Sequence, residues 1–227
     1  VEFEVKIIKT KGDLIKDLPL DKIGDKGLFV KEIEKSLLDG EIDMAVHSMK
    51  DMPSYLPEGL KFAHSPKRED PRDALIFKEG YKSLDDLPQG ARIGTGSKRR
   101  KYQLLKHRPD LEIVPIRGNI ETRIKKIETE KLDGVVLAAS GLRRAGLDDK
   151  IDYYIPTDIM LPAPAQGILA LEIREDDKET EKIIDSIKDD ITKIQIDAER
   201  GFLIGVNGSC HIPMGAYCEI EGEKIML

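Results

Sequence analysis

An ammonium group and a carboxylate stand next to each other at Lys50 and Asp51, directly after a short apolar run. A carboxylate at the end of a buried strand can balance a cation that develops during a reaction, and it can take part in proton transfer. The spacing alone is a weak signal, because an adjacent Lys-Asp pair is more often a solvated turn. The pair is therefore a candidate catalytic site that needs further support.

Arginines are concentrated in the middle of the chain, near three glycine-containing junctions. Guanidinium groups stay charged and bind carboxylates through paired hydrogen bonds, so several of them on different loops would suit a ligand with many carboxylates. Phosphate is an alternative ligand, although neither G-x-x-x-x-G-K-[ST] nor a full G-x-G-x-x-G motif is present. The six arginines are Arg99, Arg100, Arg117, Arg123, Arg143 and Arg144.

The two cysteines, Cys210 and Cys218, differ in their surroundings. Cys210 lies in a Gly-Ser-Cys turn between Gly208 and Gly215, so we expect an accessible thiol suited to covalent attachment. Cys218 lies in an alternating segment and is predicted to be a packing residue. The absence of a C-x-x-C pair and of a histidine cluster argues against a disulfide framework and a metal site. A thiol hydrolase using Cys210 and His211 is disfavoured, because adjacent residues seldom face each other for proton transfer.

The elements that would position these groups form a repeated strand and helix pattern, which is typical of α/β proteins. Residues 1–8 alternate as in a strand, residues 28–38 have helical spacing that ends at Gly40, and the apolar run 42–47 predicts a buried parallel strand. Further strands are predicted at 74–77, 92–94, 112–116, 134–139, 168–173, 216–220 and 224–227, and further helices at 98–106, 119–129, 178–187 and 192–204.

Three loops at strand-to-helix junctions, at 94–97, 117–119 and 139–141, are expected to share one edge of a sheet. The carboxyl ends of parallel strands meet at the same edge, which is where open α/β sheets bind ligands. These loops would therefore form one binding site.

The charge distribution favours an anionic ligand at one place. The 227 residues carry a net charge of −6, yet residues 91–150 contain 15 basic and 8 acidic side chains. A composition of 40 % apolar and 35 % charged residues, without an apolar run long enough to span a membrane, predicts a globular protein of about two domains. The first residues do not look like a signal peptide, so we expect a cytoplasmic protein.

In their order and spacing these residues resemble the porphobilinogen deaminase (hydroxymethylbilane synthase) family along nearly the whole chain. Each motif is weak alone, but the ordered set is highly specific. The motifs are KIGDKGLF (22–29), HSMKD (47–51), REDPRD (68–73), GTGSKRR (94–100), RGN (117–119), TR (122–123), GLRR (141–144), QG (166–167) and GSCHIPMG (208–215).

The resemblance implies an α/β fold with two lobes like those of periplasmic binding proteins, mixed and parallel sheets, and an active site in the cleft between the lobes. Residues 1–67 and 166–189 would form a discontinuous first domain, and residues 68–165 the second. Residues 190–227 would begin a small α+β third domain that carries the cysteine for cofactor attachment. On the same grounds we expect a further strand and helix before Val1 and most of the third domain after Leu227.

The resemblance also implies an enzyme of tetrapyrrole, porphyrin and heme biosynthesis, a transferase. The family condenses four porphobilinogen molecules head to tail, loses ammonia each time, and releases linear hydroxymethylbilane. The chain grows on a dipyrromethane cofactor that the enzyme makes from two porphobilinogen units and holds by a thioether. We expect a monomer that binds porphobilinogen, without a metal and without nucleic-acid or membrane partners.

The family motifs carry roles over to individual residues. Asp51 would be the catalytic residue that stabilises the cationic pyrrole intermediates and helps move protons. Cys210 would hold the cofactor covalently. Arg143 does not match an arginine of the family motif, so no role is carried over to it. Because each pyrrole carries an acetate and a propionate, the growing chain needs many cationic contacts. The cofactor would be bound by Lys50, Thr95, Ser97, Arg99, Arg100 and Arg123, and the substrate by Lys26 as a lid residue, Ser48, Arg117 and Arg144.

Two other functions fit parts of the sequence. A non-catalytic two-lobed anion-binding protein would share the fold, would only hold its ligand, and would make Cys210 incidental. A nucleic-acid-binding module could use the basic middle segment, but aromatic stacking residues are scarce and the rest of the chain is acidic. An adduct of two pyrrole units on Cys210 would distinguish the enzyme from the anion-binding protein.

Overall fold

The computed structural model describes residues 1–10, 30–208 and 212–227. The strands in this part of the chain form sheets of five, three and two strands. They are β1 (Ala45–Ser48), β2 (Leu60–Phe62), β3 (Asp73–Phe77), β4 (Arg92–Gly94), β5 (Glu112–Val114), β6 (Gly134–Ala138), β7 (Tyr153–Tyr154), β8 (Leu169–Arg174), β9 (Glu219–Glu221) and β10 (Lys224–Met226). The α-helices are α1 (Lys31–Leu38), α2 (Lys98–His107), α3 (Ile120–Thr129), α4 (Ala139–Arg144), α5 (Lys178–Ile184) and α6 (Asp190–Gly205). Short 3-10 turns occupy Met49–Asp51, Asp148–Lys150 and Asp185–Ile187.

The five-stranded sheet has the order β5-β4-β6-β3-β7 and is buried on both faces. Strand β4 pairs in parallel with β5 and β6, whereas β3 runs antiparallel to β6 and β7. Successive side chains of a strand point to opposite faces, so Val136 packs with Leu104 of α2 while Val135 packs with Ile127 of α3. The two helices thus cover opposite faces and begin at the same edge of the sheet.

The three-stranded sheet has the order β1-β8-β2, and both outer strands run antiparallel to β8. The prediction of a buried parallel strand at 42–47 is therefore wrong for the described residues, since β1 begins at Ala45 and its Val46 is 56 % exposed. The apolar run identified a strand correctly, but such a run carries no information on the direction of its neighbour. That direction depends on β8, which follows β1 by more than a hundred residues.

Residues 1–8 were expected to form a strand, and this prediction is wrong, because the structure assigns them no regular element. Phe3 is 86 % exposed and Val5 is 73 % exposed. An alternating sequence becomes a strand only where a neighbour accepts and donates its ladder hydrogen bonds, and none of the described strands pairs with these residues.

The strand expected at 216–220 also begins later, at Glu219, where β9 pairs with β10. The earlier backbone groups are engaged elsewhere, since Ala216 N–H donates to Pro162 O (3.1 Å) and Cys218 N–H donates to Glu199 Oε1 (2.8 Å). Cys218 is fully buried, which confirms its predicted packing role.

The remaining predictions agree with the structure, including strand β4 and helices α2, α3 and α6, whose ends lie within two residues of the predicted positions. The helix predicted at 28–38 is present as α1 and ends before Gly40, which has a φ of +71°; residues 28 and 29 lie outside the described part. The α/β fold class with mixed and parallel sheets is confirmed. Among the described helices, none combines the length and apolarity that a membrane crossing needs.

Gly167 lies where the chain crosses back from the five-stranded to the three-stranded sheet. It has a φ of +92°, and a Cβ on it would lie 2.4 Å from Glu69 O. The Glu69 N–H donates to Gly167 O (3.1 Å), so the two segments that connect the sheets touch here.

Gly167→Ala is expected to lower the free energy of unfolding by at least about 2 kcal/mol, because left-handed backbone strain adds to a backbone clash. Urea denaturation measures this loss. Gly146→Ala is the matched control: Gly146 also has a positive φ (+65°) but nothing within 4 Å of a Cβ, so it should cost only about 1 kcal/mol. Equal losses in both variants would show that the close approach is unimportant.

Candidate active site

The turn Met49–Asp51 directly follows β1 and presents Lys50 and Asp51. Met49 and Met52 are buried at 1 % and 4 % exposure, and Met49 N–H donates to Ile168 O (3.0 Å), so the turn is held from both ends. Asp51 is exposed, whereas the ammonium end of Lys50 is buried. Ser48 is half-buried as the last residue of β1.

The loops after the parallel strands β4, β5 and β6 lie at one edge of the five-stranded sheet, as predicted. Ser97 Oγ accepts from Arg100 N–H (3.4 Å) and caps α2, while Thr95 Oγ1 accepts from Ser97 N–H (3.2 Å). At the next loop, Asn119 Oδ1 accepts from Thr122 N–H (2.8 Å) and caps α3. Both helix N-termini therefore lie at the edge where the sequence placed a ligand.

Arg99 and Arg100 are buried and both engage Asp73, the first residue of β3. Arg99 Nη1 lies 2.7 Å from Asp73 Oδ2, and Arg100 donates to Asp73 Oδ1 from Nε (3.0 Å) and Nη2 (2.8 Å). Backbone carbonyls accept as well, Leu161 O from Arg99 Nη1 (2.7 Å) and Val136 O from Arg100 Nη1 (3.0 Å). The structure thus gives these two predicted cofactor contacts protein partners of their own.

Asp73 is fully buried, and burial alone would raise its pKa. The charges of Arg100 and Arg99 outweigh this effect and hold the pKa of Asp73 well below its usual range. The carboxylate therefore stays ionised and fixes the two guanidinium groups.

Asp73→Asn is expected to lower the free energy of unfolding by about 3 to 5 kcal/mol, because it leaves two buried cations without their anion. Asp70→Asn is a suitable control, since Asp70 forms its ion pair with the 41 % exposed side chain of Arg72 (2.6 Å), and the variant should cost about 1 kcal/mol or less. Denaturation curves at neutral pH compare the two, and similar losses would contradict the structural role of Asp73.

Lys50 and Arg123 lie close enough to Asp51 to be influenced by its charge, and Arg117 lies close to Arg123; these three residues form a cationic cluster. Burial lowers the pKa of Lys50 to about 8, although the Asp51 carboxylate raises it. Burial also lowers the pKa of Arg123, as do the charges of Arg100 and Arg117, while Asp51 raises it. Groups from both sheets are therefore close enough to influence one another's charge.

One donor of this cluster lacks an acceptor among the described residues. Arg117 Nη1 is buried and has no hydrogen-bond partner among the described residues. Arg123 donates from Nε to Gly118 O (2.7 Å), which orients its guanidinium group. A buried donor without an acceptor costs free energy, so a ligand that supplies carboxylate oxygens here would remove that cost.

Arg144 lies near the crossover. Its Nη2 donates to Gly167 O (2.6 Å), and burial lowers its pKa while Glu69 raises it. Arg143 is exposed and lies 3.3 Å from Glu69 Oε1, consistent with its lack of a match in the family motif. A substrate contact by Arg144 stays a prediction.

Lys26 and Cys210 lie outside the described residues, so their roles stay predictions from the sequence. The residues that flank 209–211 are described, however. Gly208 O accepts from Ser54 Oγ (3.4 Å), three residues after Asp51, and Ala216 N–H donates to Pro162 O on the other side. Gly208 thus contacts the loop after Asp51, and Ala216 contacts the chain before the crossover.

Sequence reasoning missed Asp73 and Gln166 as parts of the site. Both belong to motifs quoted above, but neither has a side chain that suggested a role by itself. An acidic residue at the start of the otherwise apolar strand β3 was the available signal for Asp73, because a carboxylate is rarely buried without a cation.

Known proteins that are similar to this chain share one family name. Residues 1–182 match the family model "Porphobilinogen deaminase, dipyromethane cofactor binding domain". Porphobilinogen deaminase of Clostridioides difficile (strain 630) is 71 % identical over 227 residues, which is 100 % of this chain and 75 % of that protein. The protein of the same name from Clostridium novyi (strain NT) is 62 % identical over 230 residues, covering 100 % and 77 %.

A solved structure of an ABC transporter periplasmic substrate-binding protein from Coxiella burnetii is 13 % identical, with a TM-score of 0.45 over 77 % of this chain and 82 % of that one. With a match over most of its length to the family model and high identity to curated relatives, the chain belongs to the porphobilinogen deaminase family.

Proposed function

We propose that the family reaction takes place on this chain in the cleft lined by Lys50, Asp51, Arg117 and Arg123. As a family member the protein is a transferase of tetrapyrrole biosynthesis that condenses porphobilinogen, with loss of ammonia, on a dipyrromethane primer. The observation that supports this cleft is that Asp51 influences Lys50 of its own turn and Arg123 beside the five-stranded sheet, and that Arg123 neighbours Arg117, which has a buried donor without a described acceptor.

The residues present suit the cofactor that the family model names. Dipyrromethane carries carboxylates on each ring, and the unpartnered Arg117 Nη1 and the buried Lys50 ammonium are donors suited to them. When bound, the group would supply the pyrrole α-carbon to which the first new unit is added. Lys50, Thr95, Ser97 and Arg123 would hold its carboxylates, and Cys210 would hold it covalently.

Arg99 and Arg100 would act on the same carboxylates less directly. Their donors already engage Asp73 and backbone carbonyls, so we propose that they contribute mainly positive potential at the edge of the sheet. This potential acts in a site of low dielectric, where charge interactions are stronger than in water.

Asp51 would stabilise the charge that develops on the substrate. As the C–N bond of the aminomethyl group breaks and ammonia leaves, positive charge spreads to the pyrrole nitrogen, and a new C–C bond then forms at a pyrrole α-carbon. A nearby carboxylate lowers the energy of the cation and can accept the proton that the α-carbon loses. The exposed Asp51 side chain at the end of β1 is suited to this role.

The first two predicted domains are consistent with the sheets. Strands β1, β2 and β8 lie in one sheet and β3 to β7 in another, which supports a first domain of residues 1–67 and 166–189 and a second of 68–165. Residues 190–227 hold α6 and the β9-β10 hairpin, in line with the start of a third domain. We further propose a cytoplasmic monomer without nucleic-acid partners, which light scattering of the purified protein and binding assays would check.

Arg117→Gln is expected to raise KM for porphobilinogen about 10- to 100-fold, because it removes a charged donor from the carboxylate site. Arg92→Gln is the control: Arg92 begins β4 at the opposite edge of the same sheet and pairs with the exposed Glu112 (3.3 Å). Steady-state kinetics of both variants decide the matter. Equal KM values for Arg117→Gln and wild type would place the substrate elsewhere.

A further inference from the structure

Gln166 occupies a position between the two sheets and is completely buried. Its side-chain amide makes three hydrogen bonds. Oε1 accepts from Lys50 Nζ (3.2 Å), and Nε2 donates to Pro71 O (2.7 Å) and to Asp73 Oδ1 (2.9 Å). The amide thus connects the Lys-Asp turn after β1 with the carboxylate at the start of β3.

The chemistry of the three partners permits one orientation of this amide. A lysine ammonium group only donates hydrogen bonds, whereas a backbone carbonyl and an ionised carboxylate only accept them. Rotating the amide by 180° would place NH₂ against the ammonium group and the carbonyl oxygen against two acceptors. Arg99 and Arg100 hold Asp73, which is the first residue of β3. The five-stranded sheet therefore determines the direction in which Gln166 Oε1 points.

Lys50 needs such an acceptor. Its ammonium group is buried, and the charged groups that act on it are Asp51 from its own turn, Asp73 from β3, and the cations Arg99 and Arg100 from α2. Burial and the charges of the two arginines disfavour the charged form of Lys50. Each group that accepts a hydrogen bond from its ammonium group therefore contributes strongly to keeping it charged. Among the described residues, Gln166 is the one that accepts a hydrogen bond from Lys50 Nζ.

We propose that Gln166 is a positioning residue whose side-chain carbonyl holds the Lys50 ammonium group in the cleft, charged and aimed at the carboxylates of the pyrrole chain. The proposal rests on the proposed function in so far as Lys50 contacts those carboxylates. Gln166 itself acts through Lys50, and Asp73 determines the direction in which it acts.

The test compares Gln166→Met with wild type in the cofactor-loaded protein expressed from its whole gene. Methionine keeps a side chain of similar length but offers no strong acceptor. Competitive acetylation of amines across pH, quantified by mass spectrometry of the peptide containing Lys50, gives the pH at which this lysine loses its charge. We expect that pH to fall by about one unit in Gln166→Met, because the charged form loses its acceptor.

The activity of the same variant should depend on pH in a characteristic way. Loss of charge on Lys50 weakens carboxylate binding, so kcat/KM for porphobilinogen should fall about fivefold more at pH 8 than at pH 6 if the shift is one unit. Gln103→Met is the matched control, since Gln103 also clamps backbone atoms, those of Leu161 (2.8 and 3.1 Å), without a hydrogen bond to Lys50. Any decrease in kcat/KM that Gln103→Met causes should be the same at pH 6 and pH 8.

A second variant, Gln166→Glu, keeps the proposal testable if Gln166→Met does not fold. Gln166→Glu retains a carbonyl oxygen toward Lys50, so this lysine should lose its charge at or above the wild-type pH. An unchanged Lys50 titration in folded Gln166→Met, or a titration below wild type in Gln166→Glu, would overturn the proposal. The acetylation readout does not depend on turnover, so a failure here is distinguishable from a failure of the proposed function.

Discussion

Asp51→Asn in the protein expressed from its whole gene should reduce kcat for porphobilinogen consumption at least about 100-fold while the fold and the covalent cofactor are retained. The amide has almost the same shape as the carboxylate but carries no charge to stabilise a cationic pyrrole and is a poor proton acceptor. Loss of one well-placed electrostatic contact in an active site commonly costs two to three orders of magnitude. Asp51 is exposed, so its replacement should leave stability nearly unchanged.

Turnover, circular dichroism and intact mass together check this expectation. Asp43→Asn is the control, because Asp43 precedes β1, its side chain is 76 % exposed, and it pairs with Arg174 (2.8 Å). That variant should retain wild-type kcat. A kcat near the wild-type value in Asp51→Asn would remove the carboxylate from the mechanism.

The same substitution should also change the response to pH. The charge of Asp51 raises the pKa of Lys50, so removing it lowers that pKa below about 8. Lys50 then becomes neutral at a lower pH than in the wild type. The remaining activity of Asp51→Asn should therefore show a rise in KM that begins at lower pH, which a KM profile between pH 6 and 9 measures.

Cys210→Ser should abolish cofactor attachment and reduce turnover below detection, because a serine hydroxyl is a far weaker nucleophile than a thiol and forms no thioether. Intact-mass measurement of the freshly purified protein should show an adduct of two pyrrole units in the wild type and none in Cys210→Ser. An unmodified wild-type protein would contradict attachment altogether.

Cys218→Ser provides the matched control for this experiment. Cys218 is fully buried, and burial raises the pKa of its thiol, so it is poorly suited to act as a nucleophile. The variant should retain the adduct and lose about 1 kcal/mol of stability, because it buries a more polar hydroxyl group in place of the thiol. An adduct that persists in Cys210→Ser and disappears in Cys218→Ser would reverse the assignment.

The cluster around Asp51 also explains why two kinds of arginine occur at one sheet edge. Arg99 and Arg100 are buried with Asp73 and form part of the framework, whereas Arg117 retains a buried donor without a described acceptor. Because the donors of Arg99 and Arg100 are bonded to protein groups, these two arginines contribute positive electrostatic potential without hydrogen bonds to a ligand. We propose that the remaining cations bind the carboxylates of the lengthening pyrrole chain.

Most elements of the five-stranded sheet could be located from local patterns, although the two-residue strand β7 was not predicted. An apolar run marked β6, and the predicted ends of β4, α2 and α3 lie within two residues of the observed ones. The capping side chains Ser97 and Asn119 act through contacts three residues away, so they too are visible in a short window. Local periodicity and capping depend on residues that are close in sequence, so a short stretch of sequence is enough to predict them.

Contacts between distant residues could not be obtained in this way. The antiparallel pairing of β1 with β8 joins Ala45 to Glu172, and the amide of Gln166 joins Lys50 to Asp73 across 116 and 93 positions. An arginine in the sequence indicates positive charge, but whether a buried carboxylate or a ligand neutralises it depends on which strands become neighbours. Residue types and order thus sufficed for the family and the candidate residues. Only the tertiary structure decided which cations pair with a buried carboxylate and which keep a donor without a described acceptor, because burial and pairing arise only when remote segments pack together.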